Sequence, residues 1–169
     1  GYKVFTQLAE LGGVVVFEQS FDSANFASFD RLLKAYFEQI ADKSYRIVDS
    51  CLAVAGPVVG QRADLTNLPW LIDAEQLCHD FDLGQITLCN DFVAVGYGID
   101  AVGDDDQIEL QAGEFDSDAP CVVIGAGTGL GQALILNTAS GKHVVATEGG
   151  NVDFGPRDDE QMALLNYLM

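Results

Sequence analysis

Four short segments of the sequence carry residue types that can bind a phosphorylated or hydroxyl-rich ligand. The first is the run Gly125-Ala126-Gly127-Thr128-Gly129-Leu130-Gly131, which follows an apolar stretch. Its glycines would let backbone N–H groups approach a phosphate, and the Thr128 hydroxyl adds a donor. The run fits neither the dinucleotide fingerprint nor the P-loop pattern. It predicts a glycine-rich hairpin that holds phosphate, and a simple tight turn is the alternative.

The second segment is Leu88-Cys89-Asn90-Asp91-Phe92, which places an Asn-Asp pair where a strand gives way to a helix. Ligands gather at the C-terminal ends of strands in open α/β sheets. A carboxylate at that place can accept the proton of a hydroxyl during phosphoryl transfer. Capping of the helix by Asp91 or Asn90 explains the same residues without chemistry. On the local sequence alone, the cap is favoured.

Two further segments carry side chains that suit the hydroxyls of a sugar. Glu148 and Asn151 flank two glycines, so a tight turn would direct a carboxylate and an amide toward one ligand. An ordinary polar loop is the alternative. Thr66 and Asn67 are also of hydroxyl-binding type, and the neighbouring Trp70 is predicted to fill the core. These two segments extend the candidate site beyond phosphate and base to a polyhydroxylated substrate.

The composition excludes several classes of function. The 169 residues carry a net charge of −18, whereas a nucleic-acid binder needs a basic stripe, so nucleic acid is not an expected partner. The longest apolar stretch, around residues 52–59, is too short to span a membrane. The four cysteines and two histidines lack the spacing of metal ligands, so no metal site is predicted. Buried free thiols are expected, in a reducing cytoplasm.

The elements that position these segments follow from hydrophobic periodicity. Helices are predicted after Ser28, after Asp73, from Asn90 or Asp91, and over residues 160–169. Strands are predicted at residues 4–11, 14–21, 47–55, 86–89, 108–110, 122–124, 132–136 and 143–147. Because strands and helices are intermixed, the predicted class is α/β, with helices packed on a mixed sheet. We expect one small domain over residues 1–120 and the start of a second, truncated domain over residues 121–169.

Taken together, these segments resemble the bacterial glucokinase family, within the sugar kinase and actin-like ATPase superfamily. The matching segments occur in the family's order and with similar spacings, at residues 53–58, 65–70, 89–92, 124–131 and 148–154. The resemblance covers the chain from about Val4 to Met169. It implies a ribonuclease H-like (actin-like ATPase) fold, with a mixed sheet and flanking helices.

The resemblance also implies an activity and roles for single residues. The family phosphorylates the 6-hydroxyl of glucose in the first step of glycolysis, with ATP and Mg²⁺, so glucose and ATP are the implied partners. Asp91 resembles the catalytic base, which also contacts the sugar. The remaining implied ligands are Thr66, Asn67, Asn90, Glu148 and Asn151 for the sugar, and Gly127, Thr128 and Gly129 for phosphate.

The sequence departs from the family pattern in three ways. Asn151 stands where the family has His; Asn still donates and accepts hydrogen bonds, but its reach differs and it carries no charge. Most of the family's opening Asp-x-Gly-Gly-Thr phosphate loop is absent before Gly1-Tyr2-Lys3. The C-terminal adenosine-binding half is missing. We therefore expect the 169 residues alone to be inactive, and to expose apolar surface through which a homodimer can form.

Two other functions remain open at this point. A non-catalytic sugar-binding or regulatory domain with a sugar-kinase fold would explain the missing first phosphate loop. A structural ATPase like actin is disfavoured, because it does not account for Asn90-Asp91 together with Glu148-Gly149-Gly150.

Overall fold

The computed structural model describes residues 2–41, 45–65, 67–114, 116–127 and 129–169. The chain divides into two compact units, Gly1–Asp91 and Phe92–Met169, and each is described by itself. This division lies earlier in the chain than the boundary predicted between residues 120 and 121. The predicted boundary refers to the domains of the full-length protein, which the two units of this chain do not test. It therefore stays a prediction.

The first unit opens with the predicted hairpin and helix. Strands β1 (Lys3–Ala9) and β2 (Val15–Asp22) pair antiparallel. The turn between them contains Gly13 at φ 83°, a left-handed conformation that favours glycine. Helix α1 (Phe29–Gln39) begins after Ser28, whose Oγ accepts a hydrogen bond from the backbone N–H of Arg31 at 3.4 Å. The cap and the apolar stripe confirm the predicted helix.

The rest of the first unit consists of short strands around one parallel pair. In chain order these elements are β3 (Asp49–Val54), β4 (Val58–Val59), β5 (Arg62–Asp64), β6 (Leu71–Asp73), α2 (Ala74–Asp80) and β7 (Gln85–Asn90). Strands β4, β5 and β6 form an antiparallel sheet, whereas β3 and β7 pair parallel. The Asp73 carboxylate caps α2, as predicted, by accepting from the N–H groups of Glu75 and Gln76 at 3.1 and 3.2 Å. These bonds and the nearby Arg62 lower the pKa of Asp73.

The core of the first unit forms where α1 and α2 bury their apolar faces. Leu32 of α1 and Leu77 of α2 are almost fully buried. Trp70 is 2% exposed, and its ring centroid lies 6.2 Å from that of Phe29. The predicted core role of Trp70 is therefore confirmed. Burial of these large side chains supplies the main stabilisation of the unit.

The second unit is a helix-flanked antiparallel sheet. Helix α3 (Asp91–Gly98) leads into it, followed by β8 (Cys121–Ala126), β9 (Leu130–Thr138), β10 (Gly141–Thr147) and α4 (Asp159–Leu168). The strand order is β10-β9-β8. Ala133, Ile135 and Val144 are buried at its centre, against partly buried Phe92 and Val93. Three of the four predicted strands of this unit, at residues 122–124, 132–136 and 143–147, are confirmed.

Three expectations need correction or restriction. The predicted strand at residues 108–110 is wrong: no strand pairs with it in the described part of the chain, and Ile108 and Leu110 are 86% and 95% exposed. The cysteines are free thiols, but Cys51 and Cys121 are exposed rather than buried. The α/β class is confirmed, yet β1–β2 and β3–β7 form separate ladders among the described residues. Over these same ranges, no helix has both the length and the apolarity to cross a membrane.

Candidate functional site

The Asn-Asp pair lies at the predicted junction between strand and helix. Asn90 is the last residue of β7 and Asp91 the first of α3. In the parallel pair, Asn90 lies opposite Val54, at the C-terminal end of β3. The Asn90 side chain donates from Nδ2 to the backbone oxygen of Gly56 at 3.2 Å. This bond ties together the carboxyl ends of two parallel strands, where ligands of open α/β sheets bind.

Gly56 has a backbone conformation that a side chain would disfavour. Its φ of 149° lies in the region that L residues rarely adopt. Gly56 lies two residues after the end of β3, and its carbonyl oxygen accepts the hydrogen bond from Asn90. Glycine at this position therefore orients the amide of Asn90 at the edge of the candidate site.

The glycine-rich run of the second unit forms the turn between β8 and β9, as predicted. The backbone N–H of Gly127 donates to the oxygen of Gly129 at 2.8 Å, which closes the turn. A Cβ atom built on Gly127 or Gly129 would meet no atom within 4 Å, so the outside of the turn is open. Thr128, the predicted hydroxyl donor, lies outside the described residues. The role of this turn in holding a phosphate stays a prediction.

The outer glycines of the run have a different role. Gly125 lies in β8 and Gly131 in β9, and the Phe92 ring packs against both of them. A Cβ atom on either glycine would collide with that ring. Sequence reasoning identified the run but missed Phe92 as its support. The only sequence signal was that Phe92 directly follows the Asn-Asp pair. Its contacts with Gly125 and Gly131 are distant in sequence and cannot be inferred from residue spacing.

The predicted turn at Glu148 and Asn151 is present, and the two side chains contact each other. Residues Gly149–Asn151 form a single 3₁₀ turn after β10, and the backbone N–H of Asn151 donates to the Glu148 oxygen at 2.9 Å. Asn151 Nδ2 donates to Glu148 Oε2 at 3.0 Å. Both residues are exposed, so the carboxylate has further acceptor sites that face solvent.

Within the second unit, the Glu148–Asn151 turn packs on the glycine turn. Gly150 lies so close to the backbone oxygen of Leu130 that a Cβ atom there would overlap it. Leu130 directly follows Gly129, so the glycine turn and the Glu148–Asn151 turn are neighbours within this unit.

Two residues that sequence reasoning missed hold this contact in place. The Thr147 hydroxyl donates to Gln132 Oε1 at 3.4 Å, and the N–H of Gly149 donates to Thr147 Oγ1 at 3.2 Å. Gln132 and Thr147 lie opposite each other in the β9–β10 register. The strands were predictable from alternation, but their register was not, so this pair could not be identified in advance.

The remaining predicted sugar ligands lie on the loop between β5 and β6. Asn67 is exposed there, and the N–H of Leu65 donates to the Trp70 oxygen at 3.1 Å to close the loop. Thr66 lies outside the described residues. The roles of both residues as sugar ligands stay predictions.

The described residues contain no cluster of three or more His, Cys, Asp and Glu side chains suited to a metal ion. Magnesium commonly reaches kinase sites bound to nucleotide phosphates, with only one or two protein carboxylates.

The chain was compared with known proteins. A family model described as Glucokinase matches residues 5–169. A glucokinase of Nostoc sp. strain PCC 7120 is 37% identical over 173 residues, which cover 100% of this chain and 50% of the relative. A glucokinase of Trichormus variabilis is 39% identical over 154 residues, or 91% of this chain and 45% of the relative. The chain thus spans about half the length of the curated relatives it matches.

Two solved structures are also similar. A glucokinase from an Antarctic psychrotroph is 28% identical with a TM-score of 0.76, over 98% of this chain and 52% of the other. A glucokinase from Balamuthia mandrillaris, solved in complex with glucose, has a TM-score of 0.66 over the same shares at 23% identity, which bears on the fold alone. Because the family model spans nearly every residue, this chain belongs to the glucokinase family.

Proposed function

We propose that the full-length protein is an ATP-dependent glucokinase, which transfers the γ-phosphoryl group of ATP to the 6-hydroxyl of glucose. The observation that carries the proposal is the contact between the open glycine turn and the Glu148–Asn151 turn. Phosphoryl transfer depends mainly on positioning and on electrostatic stabilisation, so a phosphate cradle beside a hydroxyl-binding pair is the feature it needs.

Asp91 is the proposed base, and Asn90 is a proposed sugar ligand. The Asp91 carboxylate would accept the proton of the 6-hydroxyl as its oxygen attacks the γ-phosphorus. The support is placement at the carboxyl end of β7, with Asn90 fixed by its bond to Gly56 at 3.2 Å. Asn67 and Thr66 are proposed to add contacts to the sugar.

ATP is the proposed phosphoryl donor, held in part by the turn at Gly127 and Gly129. The net charge of −18 provides no general attraction for a nucleotide, so backbone N–H groups and a metal must offset the phosphate charge. When bound with the nucleotide, Mg²⁺ supplies that charge neutralisation. The proposed location is the cytoplasm, which suits the four free thiols.

A kinase assay of the full-length protein, with glucose and ATP–Mg²⁺, tests the proposal. Turnover with glucose, and less with sugars lacking a hydroxyl, is expected. Glucose binding without any phosphorylation would instead favour the non-catalytic sugar-binding or regulatory domain.

The Glu148 side chain should determine glucose affinity. Its carboxylate is oriented by Asn151 and has exposed acceptor sites. A hydrogen bond to a charged group is worth about 1.5–3 kcal/mol. We therefore expect Glu148→Ala in the full-length enzyme to raise the KM for glucose by roughly 10–100-fold.

The matched control is Glu109→Ala, which removes an equally charged, exposed side chain from the segment between α3 and β8. Equal KM values for both variants would exclude Glu148 from the sugar site.

A substitution at Gly129 should raise the KM for ATP without lowering the stability of the fold. A Cβ atom built there meets no atom within 4 Å, so we expect Gly129→Val to obstruct mainly an approaching phosphate. We expect the KM for ATP to rise strongly, with little change in glucose binding or thermal stability. Gly113→Val, also in open space, serves as the control. A matched loss of glucose and ATP binding in Gly129→Val would indicate a folding role instead.

We also propose the ribonuclease H-like topology for the full-length protein. Strands β1 and β3 border one groove of about 490 Å³, with Leu33 and Tyr36 of α1 among its lining residues. The Tyr36 hydroxyl is buried without a hydrogen-bond partner among the described residues. A strand inserted between β1 and β3 would join the two ladders into one mixed sheet.

A further inference from the structure

Two thiols lie together on one face of the parallel β3–β7 pair. Cys51 Sγ and Cys89 Sγ are 4.0 Å apart. The register pairs Cys51 with Thr87, and Cys89 is two residues further along β7. Because side chains alternate between faces with a period of two, both thiols point to the same side. Their contact is therefore built into the register of the sheet.

The two thiols differ in access and in acidity. Cys51 is exposed, whereas Cys89 is half-buried. Burial, with smaller contributions from Cys51 and Asp91, raises the pKa of the Cys89 thiol to about 11. An external oxidant therefore reaches Cys51 first. Cys89 is then the neighbouring thiol that can complete the reaction.

The other two cysteines provide an internal comparison. Cys78 contacts the backbone oxygen of Gly84 at 3.4 Å, and Cys121 contacts that of Ala119 at 3.9 Å. Neither of these recorded contacts involves a second sulfur. Reaction with a disulfide oxidant should leave them as separate adducts.

We propose that Cys51 and Cys89 form a modification site, which a disulfide oxidant such as oxidised glutathione converts into a reversible internal disulfide. The Cys51 thiolate attacks one glutathione sulfur, forms a mixed disulfide and releases one glutathione thiolate. The Cys89 thiolate then attacks Cys51 Sγ and releases the second glutathione. Two protein thiols are oxidised, and their two protons pass to the two glutathione thiolates, so one glutathione disulfide is reduced to two glutathione molecules.

The new bond would change the strand end that carries Asn90. A disulfide brings its sulfurs to about 2.05 Å, so the pair must close from 4.0 Å. Cys89 immediately precedes Asn90, whose side chain is bound to Gly56. The site thus links thiol oxidation to the geometry at the carboxyl end of β7.

Peptide mapping of the 169-residue chain tests the proposal. The Cys78→Ser, Cys121→Ser double variant retains only the two relevant thiols. Trypsin cleaves after Arg46 and Arg62 and next after Lys142, so Cys51 and Cys89 fall in different peptides. After treatment with oxidised glutathione, we expect the two peptides to be joined, with the loss of two hydrogens. Dithiothreitol should separate them.

Two controls determine whether the structure directs this reaction. Cys51→Ser and Cys89→Ser, each added to the double variant, should give no joined peptide, and the Cys89→Ser protein should stop as a glutathione adduct. The chain unfolded in urea should join its peptides much more slowly than the folded chain. Two separate glutathione adducts on the folded double variant, or equal joining in folded and unfolded protein, would overturn the proposal.

Discussion

Replacing Asp91 with alanine in the full-length enzyme is expected to lower kcat by ~10²–10⁴-fold, the usual contribution of a positioned general base. The free energy of unfolding should fall much less. Asp91 is the first residue of α3, and an acidic side chain in a first helical turn contributes about 0.3–1 kcal/mol through the helix dipole. The large loss of kcat and the small loss of unfolding free energy distinguish a role as catalytic base from a role in capping the helix. Steady-state kinetics and chemical denaturation measure them.

Asp159→Ala is the matched control for this experiment. Asp159 is the first residue of α4, as Asp91 is of α3, and it lies in an exposed part of the chain. Its replacement should destabilise the protein by a similar small amount and leave kcat unchanged. If the Asp91 variant retains its turnover per folded molecule, its carboxylate serves the helix alone.

Local features of the fold could be predicted because their causes lie within a few residues. Ser28 and Asp73 cap helices through N–H groups two or three residues away. Gly13 supplies the left-handed turn of the first hairpin. The junction at Asn90 and Asp91 followed from an apolar strand that ends at two polar residues. Each of these signals is contained in a short window of sequence.

Features that depend on distant partners could not be predicted in this way. Residues 108–110 have an alternating apolar pattern, but a strand needs a neighbour, and the described residues provide none. Phe92 packs against Gly125 and Gly131, which are more than thirty positions away in sequence. The Cys51–Cys89 contact likewise depends on the register of a parallel pair. Residue propensities and hydrophobic periodicity describe a short window of sequence, so they do not predict which distant residues pair.

The 169-residue chain by itself is expected to show no measurable glucose phosphorylation. Phosphoryl transfer needs the base, the metal and all phosphate contacts held together. The chain spans about half the length of its curated relatives.

The chain also exposes apolar surface. Its groove between β1 and β3 is open, and α4 has no buried residue. Apolar side chains such as Val122 and Ile124 of β8 are 58% and 61% exposed. This exposed surface favours association, including the predicted homodimer.

A coupled assay of the purified chain beside the full-length protein, at equal molar concentration, measures the difference. Circular dichroism must first show that the chain is folded, because an unfolded sample would be inactive for another reason. Sedimentation then shows whether the exposed apolar surface pairs two copies. A folded chain that turns over glucose at the full-length rate would contradict the prediction. It would mean that glucose phosphorylation does not need the first phosphate loop.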